Sequence, residues 1–283
     1  MSTADNERAR FGAENPPSWA RRAAGTLAFL LTCWKVNLAS AMEYRASFFL
    51  MAGMMFINNF MWLFFWSLFF GKFPVVNGWG LNDVMLMWAV GAGGFGWANL
   101  LFGNFNRIAP IVASGQLDVY LSQPKPVLLH VLASRMSLTA AGDFAFGLVV
   151  YAWVGDHSAK GVLLFAAALL ISGTIFMGVV VLAGSLAFFM GNAEGFAQQV
   201  FNSFVALSTY PSDIFKGLAK ALLFTALPAG FISFLPIGLM RDADPAFAWK
   251  AVAAALFFGA AAVLAFRLGL KRYASGNAIV LRG

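Results

Sequence analysis

The sequence predicts an all-α, polytopic membrane protein of about six transmembrane helices. Three observations carry that prediction. Apolar residues make up 60% of the 283-residue chain and charged residues only 11%, against roughly 25% charged in a soluble domain. One soluble core of this length cannot internalise so much apolar surface, because a water-facing skin must be polar; a bilayer removes the conflict. The apolar residues fall in long runs separated by charged or proline-bearing breaks, and the basic residues behind the net charge of +7 sit before, between and after those runs. A nucleic-acid binder would gather them into one patch.

Residues 1–23 are polar, contain Pro16-Pro17, and are expected to be a cytoplasmic tail; the first apolar run starts near Leu27, which predicts no secretory signal peptide. The membrane region is expected over 24–270. Within it, residues 24–45 are only partly apolar, because Lys35, Glu43 and Arg45 interrupt them. This segment is predicted to lie in the interface as an amphipathic helix; snorkelling of Lys35 keeps a spanning reading open. Residues 46–70 form the first strong span, with Asn58 and Asn59 inside it, expected to face other helices rather than lipid. After the turn-like GKFPVVNGWGLND, the second span covers about 84–103 and holds Gly91, Gly93, Gly94 and Gly96, which permit close helix contact or a bend.

Residues 104–131 interrupt the spans for longest, and Pro110, Pro124 and Pro126 prevent one uniform helix there. The third span is expected at 132–153 and the fourth at 162–190, the latter ending in Ala183, Ala187, Gly191 and Gly195, spaced by four for close packing. Residues 192–219 carry one apolar and one polar face before the break TYPSDIFKG, which predicts an interfacial or re-entrant helix. The fifth span is expected at 220–240, despite Pro228 and Pro236, and the sixth at 249–268. Residues 271–283 form a basic cytoplasmic tail. Six crossings put both termini on one side, and the basic-residue distribution makes that side cytoplasmic.

Several chemistries are missing from the sequence. No Gly-rich loop ends in Gly-Lys-Ser/Thr, so no nucleotide site of that kind is expected in this chain. His130 and His157 fall at opposite ends of the expected third span, and the single Cys33 excludes an internal disulfide. No metal, cofactor or catalytic constellation is expected, and no nucleic acid as partner.

Asp143 stands out, because a carboxylate inside a span must be paired, protonated or facing a polar path. Arg135, eight residues earlier, would share its face on one straight helix but lie about 12 Å away along the axis. Asp143 is therefore expected to find its partner on another helix or at the cytoplasmic edge, in a structural or a transport role. Gly115–Leu121 is amphipathic in outline, with Leu117 and Leu121 one turn apart; it either lies on lipid or receives a partner protein. Pro228 and Pro236 loosen their segment for packing or for gating.

Three stretches together resemble the membrane subunits of the ABC-2 family of ATP-binding-cassette transporters, in particular a daunorubicin-resistance-like branch of bacterial permeases. They are Met42-Glu43-Tyr44-Arg45 ahead of the first span; IVASGQLDVYLSQPKP at 111–126, followed by Ser134-Arg135 and Gly142-Asp143; and STYPSDIF at 208–215, followed by Leu235-Pro236. The resemblance implies an inner-membrane permease half for ATP-driven export. Its partners would be a second copy or a related permease, and two separate ATPase subunits that hold the ATP and Mg. It places Glu43 and Arg45 in an elbow helix, and Gly115, Leu117, Asp118, Leu121 and Pro124 in the region that contacts the ATPase. Arg135, Asp143, Tyr210, Pro211, Pro228 and Pro236 are then candidates for helix packing or for the path. The competing readings are an ion-coupled secondary transporter, which would need internal repeats and polar ion sites near midplane, and a non-transport membrane scaffold.

Overall fold

The computed structural model describes residues 19–191 and 193–273, and among them every regular element is helical. The expected tails fall largely at 1–18 and 274–283, outside the described residues. Helix α1 (Trp19–Glu43) is followed, after a single non-helical residue at Tyr44, by α2 (Arg45–Lys72). Next come α3 (Leu81–Phe102), a short 3-10 turn, and three small helices: α4 (Ile108–Ala113), α5 (Leu117–Leu121) and α6 (Val127–Ala133). Then follow α7 (Ala140–Val154), α8 (Ala159–Gly184, prolonged by a 3-10 turn to Phe188), α9 (Ala193–Ser208), α10 (Gly217–Leu222), α11 (Ala229–Leu235) and α12 (Pro245–Leu270). Helices α2, α3, α8 and α12 are long and apolar enough to cross a bilayer.

The bundle is organised around α3, whose glycines let two neighbours, α7 and α8, approach closely. A Cβ on Gly96 would fall 2.4 Å from the Phe144 nitrogen of α7, and one on Gly147 of α7 would fall 2.7 Å from the Gly93 Cα. A Cβ on Gly94 would meet the Ser172 Oγ of α8 at 2.4 Å. Gly142 of α7 is pressed as closely on α2, where a Cβ would lie 2.0 Å from the Ala52 oxygen. Helices α3, α7 and α8 supply much of the buried core, including Met87, Val90, Phe146, Val150, Ile175 and Phe176.

The bundle has two distinct ends. At the turn end, Asn77-Gly78 reverses the chain between α2 and α3 with both residues at positive φ, and Val76 and Trp79 pair across it; this is the backbone a type I′ turn requires. At the platform end, α4, α5 and α6 pack beneath α3, α8 and α12 through Phe105, Ile108, Leu117, Val131, Val181 and Phe266.

The chain from 193 to 241 is divided between α9 and a broken segment. Residues 220–240 do not form one span. They are α10, α11 and a π-helical turn at Pro236–Arg241, broken where Pro228 caps α11 and where Pro236 opens the turn. The segment starts and finishes at the turn end: Trp79 Nε1 donates to Asp213 Oδ2 at 2.9 Å, and Arg241 Nη1 donates to the Gly78 carbonyl and to Asp83 Oδ2, each at 3.2 Å. It dips into the bundle, buries Phe231, Ile232 and Leu235, and returns. Helix α9, expected to be interfacial or re-entrant, lies alongside α8. Its start packs Ala197 with Ala109 and Ala183 at the platform, and Tyr210 just beyond it stands 6.4 Å from the Trp66 ring near the turn end.

Two smaller expectations also change. The third segment, expected as one helix at 132–153, is interrupted over 134–139, where the Gly103 N–H donates to the Arg135 carbonyl and the Ser137 N–H to the Asn99 carbonyl. Arg135 is therefore not on Asp143's helix, and their expected two-turn relation does not hold. Helical structure in the fourth segment ends at Phe188, so Gly191 lies beyond the small-residue face that Ala183 begins.

Adding a methyl at the tight seam and at an open position should separate packing from propensity. Gly96→Ala is expected to lower stability in detergent by about 1–3 kcal/mol through overpacking. Gly53→Ala, where a Cβ meets nothing within 4 Å, should be neutral or gain about 0.5–1 kcal/mol. Equal unfolding midpoints for the two variants would contradict the seam.

The turn end has its own test. Burial acts to raise the Asp213 carboxyl, but hydrogen bonds from Lys220 and Trp79 outweigh it and hold the group below its ordinary value. A depressed folded value gives stability that is complete above about pH 4 and is lost as pH falls through the folded value. Asp213→Asn should flatten that acid limb of the unfolding curve. Asp213→Ala should cost about 1–3 kcal/mol at neutral pH by leaving the buried Trp79 donor without its acceptor.

Candidate functional site

A cavity of about 430 Å³ opens beside α3, within the range of small-molecule sites. Helix α2 contributes Asn58, Asn59 and Trp62; α3 contributes Trp88, Gly91 and Phe95; α7 contributes Asp143; α8 contributes Phe176; and α9 with its exit contributes Phe201, Asn202, Thr209 and Tyr210. The glycine cluster explains both wall and space. Gly93, Gly94 and Gly96 are consumed by helix contacts, whereas a Cβ on Gly91 would find only Ile232 Cγ2, at 4.0 Å. The rings of Trp62 and Trp88 stack at 5.7 Å to form part of the lining.

The expectation that Asp143 pairs with another helix is met by α2. Asn59 Nδ2 donates to Asp143 Oδ1 at 2.6 Å, and both side chains are buried. Asn59 lies about halfway along α2, so the pair sits deep in the bundle. Asp143 Oδ2 and Trp88 Nε1 are buried with no hydrogen-bond partner among the described residues. Asp143 and Trp88 both line the cavity, so each brings to its wall a side chain with one buried, unmatched polar atom, beside further aromatic rings. Among the described residues no Lys, Arg or His lines it.

The platform is the second candidate surface. Gly115 takes φ +73°, which turns the chain from α4 into α5. Leu117 is completely buried under α8 and α12, while Val119 and Leu121 are 65% and 44% exposed. Pro124 is exposed as well. Of the residues expected to meet an ATPase, Leu117 therefore faces the core, and Val119, absent from that set, faces outward. A period of four made Leu117 and Leu121 look alike; the tertiary core under α5 separates them. Asp118 interacts with Tyr273 just past α12, and burial followed by the Asp118 carboxylate pushes the tyrosine hydroxyl up to about 12.

The platform is bolted to the helices above it and to α1. Asn104 Nδ2 donates to the Val131 carbonyl at 3.0 Å and to Ser134 Oγ at 2.8 Å, and the Tyr120 hydroxyl meets the same Oγ at 3.1 Å. From α1, Trp34 Nε1 donates to the Leu101 carbonyl at 2.8 Å and Asn37 Nδ2 to the Ala133 carbonyl at 2.9 Å. Lys125 stands over the Phe29 ring at 5.2 Å, a cation–π contact. Beside these helices a recess of about 330 Å³ is lined by Arg107, Ser114, Gln116 and Glu194.

The remaining candidates are scattered. Glu43 and Arg45 are exposed on either side of the Tyr44 break, and Arg135 is exposed at the platform. Tyr210 lines the cavity; Pro211, Pro228 and Pro236 are buried at the turn end or in the dipping segment. Among the described residues no group of three His, Cys, Asp or Glu side chains could hold a metal ion.

No curated protein and no solved structure matches this chain. The family described as ABC-2 family transporter protein matches residues 56–276, from within α2 to just beyond α12, and so takes in the cavity and the platform together. On that match the chain belongs to the ABC-2 family of membrane transporter proteins.

Proposed function

We propose that this chain is the permease subunit of an ABC exporter, driven by ATP hydrolysed with Mg on two separate subunits. Six helices (α2, α3, α7, α8, α9 and α12) would cross the membrane, with α1 as the elbow and α9, rather than 220–240, as the fifth crossing. A second copy or a related permease would complete the path. The observation that carries this reading is the platform: short helices with an outward apolar surface at Val119 and Leu121, hydrogen-bonded to the ends of α3 and α1. Such a body can take up a push from a partner and pass it to the helices that line the cavity.

Charge supports the orientation. Arg107, Lys125, Arg135, Arg267, Lys271 and Arg272 cluster at the platform end with few acids. At the turn end, Lys72, Lys160, Lys216 and Lys250 share the surface with Asp156 and Asp244, while Lys220 is bridged by Asp213 and Arg241 by Asp83 and Asp242, so acids nearly balance bases there. The positive-inside rule then makes the platform cytoplasmic, with both termini on the same side, in a bacterial inner membrane. Export is the direction expected of the family.

The exposed residues make the test. Tagged chain extracted gently should bring down a stoichiometric ATPase bearing a Gly-Lys-Ser/Thr loop. Val119→Asp and Leu121→Asp should each lower its recovery by about tenfold, the effect of losing one well-buried interface contact, at unchanged chain yield. Leu117→Ala should instead destabilise the chain itself by about 2–5 kcal/mol, as a core truncation. Full ATPase recovery with both aspartate variants would remove the platform from the interface.

A further inference from the structure

We infer that the cavity binds an amphipathic amine, with its ammonium on Asp143 and its apolar body against the aromatic wall. The inference rests on the permease reading for its meaning in transport, but the binding itself does not require an ATPase.

Asp143 has a partner for one of its two oxygens. A buried carboxylate is expensive to keep without partners. Asn59 supplies one donor, to Oδ1, while Oδ2 is buried and unmatched among the described residues. A purely structural link between α2 and α7 needs only the first of these bonds, and a neutral amide would make it. Asp143 lines a 430 Å³ space, and its second oxygen is an acceptor buried in that wall.

The surroundings fix the sign of the charge. Among the described residues no basic side chain lines the cavity to compete for the carboxylate. Among them the α2, α3, α7, α8 and α9 faces and the exit of α9 contribute one other titratable group, Tyr210. An anion would meet an acceptor with nothing to offset it, and a neutral apolar molecule would leave Oδ2 unmatched. An ammonium supplies the donor and the opposite charge together, in the short charge-assisted geometry that is strongest away from water. The wall suits the rest of such a molecule. Trp62, Trp88, Phe95, Phe176, Phe201 and Tyr210 present ring faces and edges, which attract cations and pack apolar bodies. Trp88 Nε1 remains as a donor for one acceptor group on the ligand. Gly91 leaves room at the centre of this wall.

The probe pair is dansylcadaverine, an aromatic sulfonamide with a primary ammonium, and its N-acetylated neutral counterpart. Binding is read by dansyl fluorescence on the full chain in lipid nanodiscs without nucleotide. The amine is expected to bind about tenfold or more tightly than the acetylated probe, the size of one desolvated charge-assisted contact. Asp143→Asn should erase that preference while leaving the neutral probe's affinity unchanged, and Gly91→Leu, which fills the space, should weaken both. Equal affinities in the unmodified chain overturn the inference, whether or not the Asp143 variant folds. So does a preference that survives Asp143→Asn. The permease reading is tested separately, by ATP-driven accumulation of the amine in vesicles holding chain and copurified ATPase. Preferential binding without ATP-driven movement would sink that reading and keep the site; ATP-driven transport with no preference for the cation would do the reverse.

Discussion

The fold depends on the glycine seam of α3. Gly93, Gly94 and Gly96 each face a different backbone or small side chain, and each admits an approach that a single methyl would block. In lipid there is little hydrophobic drive between helices, so close packing and interhelical hydrogen bonds must hold the bundle together. The seam supplies the first and the Asn59–Asp143 pair the second. Because α3 is fixed on two flanks by α7 and α8, its third flank at Gly91 is left as a rigid wall rather than a collapsed contact. The cavity follows from the way the other contacts are distributed.

How much of this was legible in the sequence depends on the kind of interaction. The long apolar runs of α2, α3, α8 and α12 declare themselves, because hydropathy measures transfer into lipid and these helices make that transfer. The choice between 192–219 and 220–240 is not of that kind. Helix α9 carries Gln198, Gln199, Asn202 and Ser203, which pair along the helix as Gln198–Asn202 and Gln199–Ser203, and Asn202 lines the cavity. Gln198, Gln199 and Asn202 are exposed, so the polar face of α9 points away from the buried core. Residues 228–239 are apolar and almost all buried, and Pro228 and Pro236 divide the segment. Their return to the turn end is decided by Trp79–Asp213 and Arg241–Asp83, pairs separated by 134 and 158 residues, which no local periodicity can register.

The same limit applies to the candidate site. That Asp143 must have a partner follows from its type and its surroundings; that the partner is Asn59 requires the α2–α7 contact at Gly142. Asn59 was visible as a polar residue in a span, and nothing in the sequence distinguished it from its neighbour Asn58, which is exposed. In α5 the amphipathic outline is real, but it gives two apolar positions on one face without saying that the core takes Leu117 and leaves Leu121 and Val119 outside. The Tyr273–Asp118 contact joins chain segments 155 residues apart in sequence and has no local signal at all.

These contacts also bear on how a push at the platform would reach the cavity. Helices α3, α8 and α9 touch both, and α3 and α9 form opposite walls. Helix α3 ends at the hydrogen bonds that Asn99 and Gly103 make with the 134–139 break, and higher up carries Trp88 and Gly91. Helix α9 starts against Ala109 and later presents Phe201 and Asn202. They differ in what restrains them. Helix α3 is locked along its length by the glycine seam, whereas α9 is short, has exposed polar positions along one face, and is attached at the turn end through the Asp213 network. In an ATP-driven cycle the two walls would therefore not respond alike: α3 would move with α7 and α8 as one body, and α9 would shift against it. The cavity lies between these two bodies, which is where a binding site must lie if a conformational change is to alter its shape.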